Sequence, residues 1–366
     1  MTQVTRGRAR VADHGGGVRS IEVPIPDNPL GHTLVYVVDT DRGPVLVDTG
    51  WDDPASWDTL ADGLRRIGTD VADVHGVVLT HHHPDHHGLS GRVREASGAW
   101  LAMHAADTAV VRRTREAEPG AWLDYLAAKL AAVGAPESHL GPLREARARR
   151  SGRVLPGLRA ALPDREIVPG DLLPLPGRRL RAIWTPGHTP GHVCLHLEER
   201  HPSGRPGHGR LFSGDHLLPG ITPHIGLYED PDAATETDPP PSSRLRSNRG
   251  DPLGDYVSSL ERVGRLGVAE VLPAHQHAFP DAASRVRELL AHHESRLRDL
   301  LTLLSSEPLT PWDLAVRMEW NRPWADIPYG SRNIAVSEAE AHVRRLVKQG
   351  RAEAIPGTHP LTYRAV

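Results

Sequence analysis

The sequence is short of cysteine, of aromatic side chains and of net charge, and each shortage narrows what the chain can do. A single cysteine, Cys194, in 366 residues rules out an intrachain disulfide. The first residues carry no apolar core of a secretory signal, and with the lone cysteine this sets the expectation of a reducing, cytoplasmic setting. No run approaches the roughly 18 consecutive apolar residues of a membrane-spanning helix. A formal net charge of -3 gives no global attraction to nucleic acid or to an anionic membrane. Aromatics make up only 4%, whereas 33 prolines and 35 glycines predict many defined turns.

Histidine, in contrast, is concentrated. Thr80-His81-His82-His83-Pro84-Asp85-His86-His87-Gly88 places five imidazoles and a carboxylate within seven residues. The apolar run Val77-Val78-Leu79 before it reads as a buried strand, and the pattern after Gly88 reads as helix, so the cluster stands at a strand end. Layered α/β folds carry chemistry there, whereas affinity tags stand at termini. His81 and His83, two apart, can aim both rings at one ion. Asp85 and His86 then face a second position close by, and zinc accepts such a nitrogen and oxygen set.

Residues 1–17 read as a flexible, glycine-rich lead-in, with order beginning near Val18. Short Val- and Leu-rich runs at 21–25, 33–39 and 44–48, separated by turn chemistry, predict an antiparallel meander ending in Asp48-Thr49-Gly50. A helix is expected over 54–67, a strand over 99–103, and an inserted helical segment over about 105–153, which is either packing or a lid. Strands resume at 180–185, 193–198 and 210–213. A proline-rich stretch at about 229–252 reads as a mobile loop, and a helix over 252–266 leads into a strand at 270–272.

From 281 to 366 the pattern becomes an amphipathic stripe (Val286, Leu289, Leu290, Leu297, Leu300, Leu301, Leu304), an N-cap at Thr310-Pro311, a capping box at Ser337-x-x-Glu340 that opens a helix ending at Gly350, and a hairpin from 351–355 and 361–365. Three helices and a hairpin is the order of a winged helix. This region holds 12 Lys/Arg against 11 Asp/Glu, a net of +1, which favours a structural or dimerising module over duplex binding.

Five strand-end features line up in order: Asp48, the cluster His81 to His86, His188 in Thr185-Pro186-Gly187-His188-Thr189-Pro190-Gly191-His192, Asp215 in Phe212-Ser213-Gly214-Asp215-His216, and His275 in Leu272-Pro273-Ala274-His275. This series resembles the metallo-β-lactamase superfamily over residues 18–280. The resemblance implies an αββα sandwich of two mixed sheets between helices, with the winged-helix-like tail at 281–366 as an appendix. Position by position it gives His81, His83 and His188 to one zinc and Asp85, His86 and His275 to the other. Asp215 bridges, and Asp48 orients ligands from behind. Fe or Mn could replace Zn.

The chemistry implied is hydrolysis by a metal-bound hydroxide, with Asp85 and Asp215 in the catalytic centre, directed at an acyl carbonyl or at phosphorus. The best-known zinc β-lactamases have Cys where Asp215 stands, and di-iron flavoprotein relatives have Glu where His83 stands, so both activities are disfavoured. Thr185 to His192 is similar to glyoxalase II type thioesterases. The expected function is therefore a dinuclear zinc hydrolase of a small thioester, ester or lactone, compatible with a homodimer. A phosphodiesterase or endoribonuclease is the alternative, and a non-catalytic DNA-binding sensor is a remoter one. Of the remaining histidines, His82 and His87 fall off the pattern and read as exposed or supporting. His192 and His216 read as loop braces, His277 as an acid or substrate contact, and Cys194 as a small core residue. His224, Tyr228, Trp122 and Tyr125 read as pocket lining or packing.

Overall fold

Alternation of apolar side chains along the first strands decides the layering. The structure, a computed structural model, describes residues 8–118, 120–149, 160–226 and 250–366. Its contacts divide the chain into two compact units, one made of residues 1–115, 156–223 and 260–286, the other of 116–155, 224–259 and 287–366.

The first unit is built on a seven-stranded sheet in sequential order: β1 (Val11–Gly15), β2 (Val18–Pro24), β3 (His32–Val38), β4 (Val45–Val47), β5 (Gly76–Val78), β6 (Trp100–Met103) and β7 (Arg165–Glu166). Pairing is antiparallel from β1 to β4 and parallel from β4 to β7. A second, four-stranded mixed sheet runs β11 (Glu270–Pro273), β10 (Arg210–Gly214), β9 (Val193–Leu197) and β8 (Leu180–Trp184).

In β3, Leu34, Tyr36 and Val38 enter the core between the sheets, while Val35 and Val37 enter the core on the opposite face. That opposite core is closed by Leu60 and Leu64 of α1 (Pro54–Arg66) and Val93 of α3 (Ser90–Ser97). Both faces of the first sheet are therefore buried, which is why its parallel strands read as continuous apolar runs. The Tyr36 hydroxyl donates to the Pro273 carbonyl at 2.7 Å and so ties the second sheet to β3. On the far side of the second sheet, Arg262 in α7 (Pro252–Gly264) donates to the Trp184 carbonyl. The architecture is the expected αββα sandwich.

The second unit contains α5 (Ala121–Ala132), α6 (Glu137–Arg149), most of α8 (Ala282–Ser306), α9 (Pro311–Arg317), α10 (Tyr329–Lys348) and a hairpin of β12 (Ala352–Ala354) with β13 (Tyr363–Ala365). Helices of the insert join the C-terminal ones here: Trp312 and Leu361 donate backbone N–H groups to the carbonyls of Val133 and Ala132. Thr310 caps α9 in a reciprocal box with Asp313.

Two expectations need correction. The lead-in thought loose to residue 17 contains β1, because β2 offers an unpaired edge that residues 11–15 fill. Ser337 and Glu340 do not open a helix, because α10 starts eight residues before Ser337, with Pro328 as its cap and the pair inside it. Almost all of the proline-rich stretch at 229–252, with Tyr228, lies outside the described residues, as do residues 1–7.

Candidate metal centre

The eight residues singled out by pattern lie on five strand ends of the first unit, and the sandwich brings them together. After β5 the chain bends at Thr80 and His82 and reaches His83, which is extended at φ -62° and ψ 148° and caps the short helix α2 (Pro84–His87). Pro84 takes its first position, where a missing N–H costs nothing. His81 and His83 thus come from the bent segment before the helix and Asp85 and His86 from the helical turn itself, which aims the two pairs differently. Gly88 closes the turn where no larger residue fits: a Cβ there would lie 2.4 Å from the Pro84 carbonyl oxygen and 2.6 Å from the Asp52 nitrogen.

Three sets of donors converge: His81, His83 and His188; His81, His86 and Asp215; and Asp85, His86 and His275. His83 Nδ1 lies 3.0 Å from His81 Nε2 and 3.0 Å from His188 Nε2. His275 Nε2 lies 3.4 Å from Asp85 Oδ2, and His86 Nε2 lies 3.5 Å from the same oxygen. Asp215 spans the two groups: Oδ2 is 3.5 Å from His188 Nε2, while Oδ1 is 3.2 Å from His275 Nε2 and 3.4 Å from His86 Nε2.

Behind the donors, hydrogen bonds select the tautomers. Asp48, buried and in the left-handed region at φ 62°, accepts from His86 Nδ1 at 2.8 Å and from the Thr80 amide at 2.8 Å. The Thr80 hydroxyl also donates to Asp48, so it accepts from His81 Nδ1 at 3.0 Å. His275 Nδ1 donates to the His32 carbonyl at 2.9 Å. In all three rings Nδ1 is thereby held from behind and Nε2 is turned inward, an arrangement that holds metal-ligating imidazoles in one orientation.

Charge divides the centre in two. Burial, and then the neighbouring imidazoles, hold His81 and His83 well below the usual histidine range, so both are neutral, the form that ligates. On the other side burial opposes protonation of His275 and His86, but Asp215 and Asp85 outweigh it, raising His86 and pushing His275 up to about 10. Such carboxylate-rich surroundings demand positive charge.

A divalent cation fits these residues on two counts. Buried His86 Nε2 and His275 Nε2 face Asp215 Oδ1 at 3.4 and 3.2 Å without a well-formed hydrogen bond, a costly state that a shared cation would relieve. Two donors about 2.0–2.1 Å from one tetrahedral zinc stand about 3.3 Å apart, close to the 3.0–3.5 Å spacings seen here.

The sequence model of the Metallo-beta-lactamase superfamily matches residues 28–275. The chain belongs to the metallo-β-lactamase superfamily. Among solved structures, a superfamily protein from Thermus thermophilus is 31% identical, with a TM-score of 0.73 over 96% of this chain and 99% of that one. A probable metallo-hydrolase of Bacillus subtilis is 23% identical over 82% of this chain and 84% of its own length. The lactamase-like protein nscB of Aspergillus fumigatus is 30% identical over 40% of this chain, a match spanning only 35% of that protein. Superfamily membership together with a His/Asp cluster that could hold divalent metal points to a metal-dependent hydrolase of this fold.

The histidines outside the pattern have other partners. His192 is closed on both sides: Nε2 accepts the Asp215 amide at 3.2 Å and Nδ1 donates to the Thr185 hydroxyl at 2.8 Å. His87, expected to be exposed or supporting, is buried and donates to the Ala161 carbonyl, its pKa pulled down to about 4 by burial. His216 is buried, and its ring centroid lies 5.9 Å from that of His192. Cys194 is buried within β9, its thiol pushed up to about 12 by burial. His277 is exposed. Trp122 and Tyr125 are exposed on α5, and His224 contacts the Ile334 carbonyl within the second unit.

Pattern reading missed Asp107, in the first turn of α4 (Ala105–Glu116). It is fully buried and bonded to His82, Thr189 and Gly191.

Proposed function

We propose that the protein is a dinuclear zinc hydrolase acting on a small acyl substrate, a thioester, ester or lactone. In this reading His81, His83 and His188 hold one ion, Asp85, His86 and His275 hold the other, and Asp215 is shared. The observation that carries it is the division of Asp215: one carboxylate oxygen faces His188 and the other faces His86 and His275. A single ion would not call for six further donors split on two sides of one carboxylate. When bound, the ions supply Lewis acidity, acidifying water and polarising an acyl oxygen.

The chain's own residues do the positioning. Asp48 holds the His86 ring by Nδ1, the His32 carbonyl holds His275, and Thr80 holds His81, so these three imidazoles are fixed in orientation. The Asp215 amide is fixed on His192, which keeps its carboxylate between the two sets. Burial of His81, His86 and His275 excludes bulk water from behind the donors and leaves His83 and Asp85, both half-buried, nearer the open side.

An acyl rather than phosphoryl substrate is supported by the likeness of residues 185–192 to glyoxalase II type thioesterases and by the near-neutral charge of the C-terminal region, which gives a nucleic-acid strand little to bind. The helices and hairpin after residue 281 fit a winged-helix-like module in a structural role. The test is a screen of zinc-loaded protein against acyl-CoA, glutathione thioester, lactone and single-stranded RNA substrates. Turnover of an acyl substrate is expected. Cleavage of RNA without hydrolysis of any acyl substrate would overturn this assignment.

A further inference from the structure

One buried carboxylate lies outside the donor set yet touches the loops that carry half of it. Asp107 Oδ2 accepts from the His82 amide at 2.9 Å, from His82 Nδ1 at 3.0 Å and from the Thr189 hydroxyl at 2.8 Å, while Oδ1 accepts from the Gly191 amide at 2.6 Å. His82 stands between His81 and His83, and Thr189 follows His188. All three donors of one half-centre are thus one residue away from a group bonded to this single side chain.

We propose that Asp107 is a positioning residue that sets the spacing of His188 against His81 and His83, and so controls occupancy of that half of the centre. The inference rests on the dinuclear reading above. Four features support it. The two loops lie about a hundred residues apart in sequence, and Asp107 bonds to both. Every partner is a donor, so only an acceptor on both oxygens satisfies the site, and a carboxylate is the side chain that offers this. An amide at the same position would turn its own N–H groups against one of these donors. The fit is close: a Cβ at position 191 would lie 2.7 Å from Asp107 Oδ1 and 2.6 Å from its backbone nitrogen, so glycine is required for the approach. Finally, a fully buried carboxylate bonded to the loops that carry His81, His83 and His188 favours a cation nearby.

The full chain, loaded with zinc, is compared with Asp107→Asn, Thr189→Val and Thr189→Ser. Metal per chain is measured by elemental analysis, affinity by competition with a chromophoric chelator, and ligand geometry by the visible spectrum of the Co(II) form. Far-UV circular dichroism of the metal-free proteins reports folding. Asp107→Asn is expected to weaken one equivalent roughly 10–100-fold, leave the other in place and alter one component of the Co(II) spectrum. Thr189→Val should weaken the same equivalent by less, with Thr189→Ser restoring it.

A folded Asp107→Asn protein with two equivalents at wild-type affinity overturns the proposal. If that variant does not fold, the threonine pair decides: wild-type affinity in Thr189→Val overturns it, and loss rescued by serine supports it. Wild-type protein that takes up no zinc overturns the metal-centre reading itself, a result distinct from both.

Discussion

At Asp215 two demands meet in one side chain. Its oxygens approach histidines of both halves, His188 on one side and His86 with His275 on the other. Asp215→Ala should therefore bring metal content well below two per chain by elemental analysis and abolish turnover; a variant with full metal and activity would refute a bridging role. His192→Ala makes the contrast, since both its nitrogens are already engaged by Thr185 and the Asp215 amide. Its metal count should stay at that of the wild type, and loss of one equivalent would show that the wrong histidine of the pair was assigned. The seven donors were legible in the sequence because four stand within six residues and the rest sit in distinctive Gly- and Pro-flanked strand ends. Asp107 was not. An aspartate in the first turn of a helix reads as a favourable charge for the helix dipole, and its partners lie 25 to 84 residues away.

Among elements, strands rich in Val, Leu and Ile were readable and a half-polar strand was not. The order and approximate bounds of β2 to β6 and β8 to β11 follow from runs of Val, Leu and Ile, but Val11–Gly15 is half polar and becomes a strand only by pairing with β2. The start of α10 was invisible for a related reason: Pro328 caps it without a side-chain bond, while a capping-box spacing lies inside the helix.

The inward face of α10 carries a titration that its sequence alone does not reveal. His342 is fully buried, donates from Nδ1 to the Glu338 carbonyl, and lies 3.1 Å by Nε2 from His293 Nδ1 of α8. Burial, aided by the charges of Arg296 and His292, pulls its pKa from 6.5 down to about 4. Above pH 6.5 the ring is neutral in both states and the full stability is present. As pH falls from 6.5 to 4 the unfolded chain takes up the proton first, and about 3 kcal/mol is lost by the lower limit. Urea unfolding at stepped pH should show His342→Gln losing less stability than wild type across this window, and parallel curves would exclude the histidine as the cause.

At the scale of the whole molecule, proximity in sequence is a poor guide to which parts fold together. Residues 116–155 interrupt the sandwich and are grouped with residues 287–366, because their helices hydrogen-bond to the start of α9 and to the hairpin. The first unit is thereby drawn from three separated segments. Its centre joins His81 to His275 across nearly two hundred residues, and a pattern reader recovers that closure only by resemblance, since no local rule links strand ends so far apart.

Such a centre also couples metal to folding. The unfolded chain cannot assemble donors from four strand ends, so an ion binds the native state more tightly than the histidine-rich unfolded segment and stabilises it by mass action, by at most about 2.7 kcal/mol per ion when free metal is a hundredfold above the dissociation constant. Stripping zinc with a chelator should then lower the thermal midpoint of the first unit by roughly 5–10 °C for one such ion, with more for two. Readdition of zinc should restore it. Asp215→Ala should show a much smaller chelator effect, because on the proposed dinuclear reading it lacks the ligand shared by the two ions. A midpoint in wild type that ignores chelation, while elemental analysis shows the metal has gone, would mean that the imidazoles and carboxylates are reconciled by the protein alone.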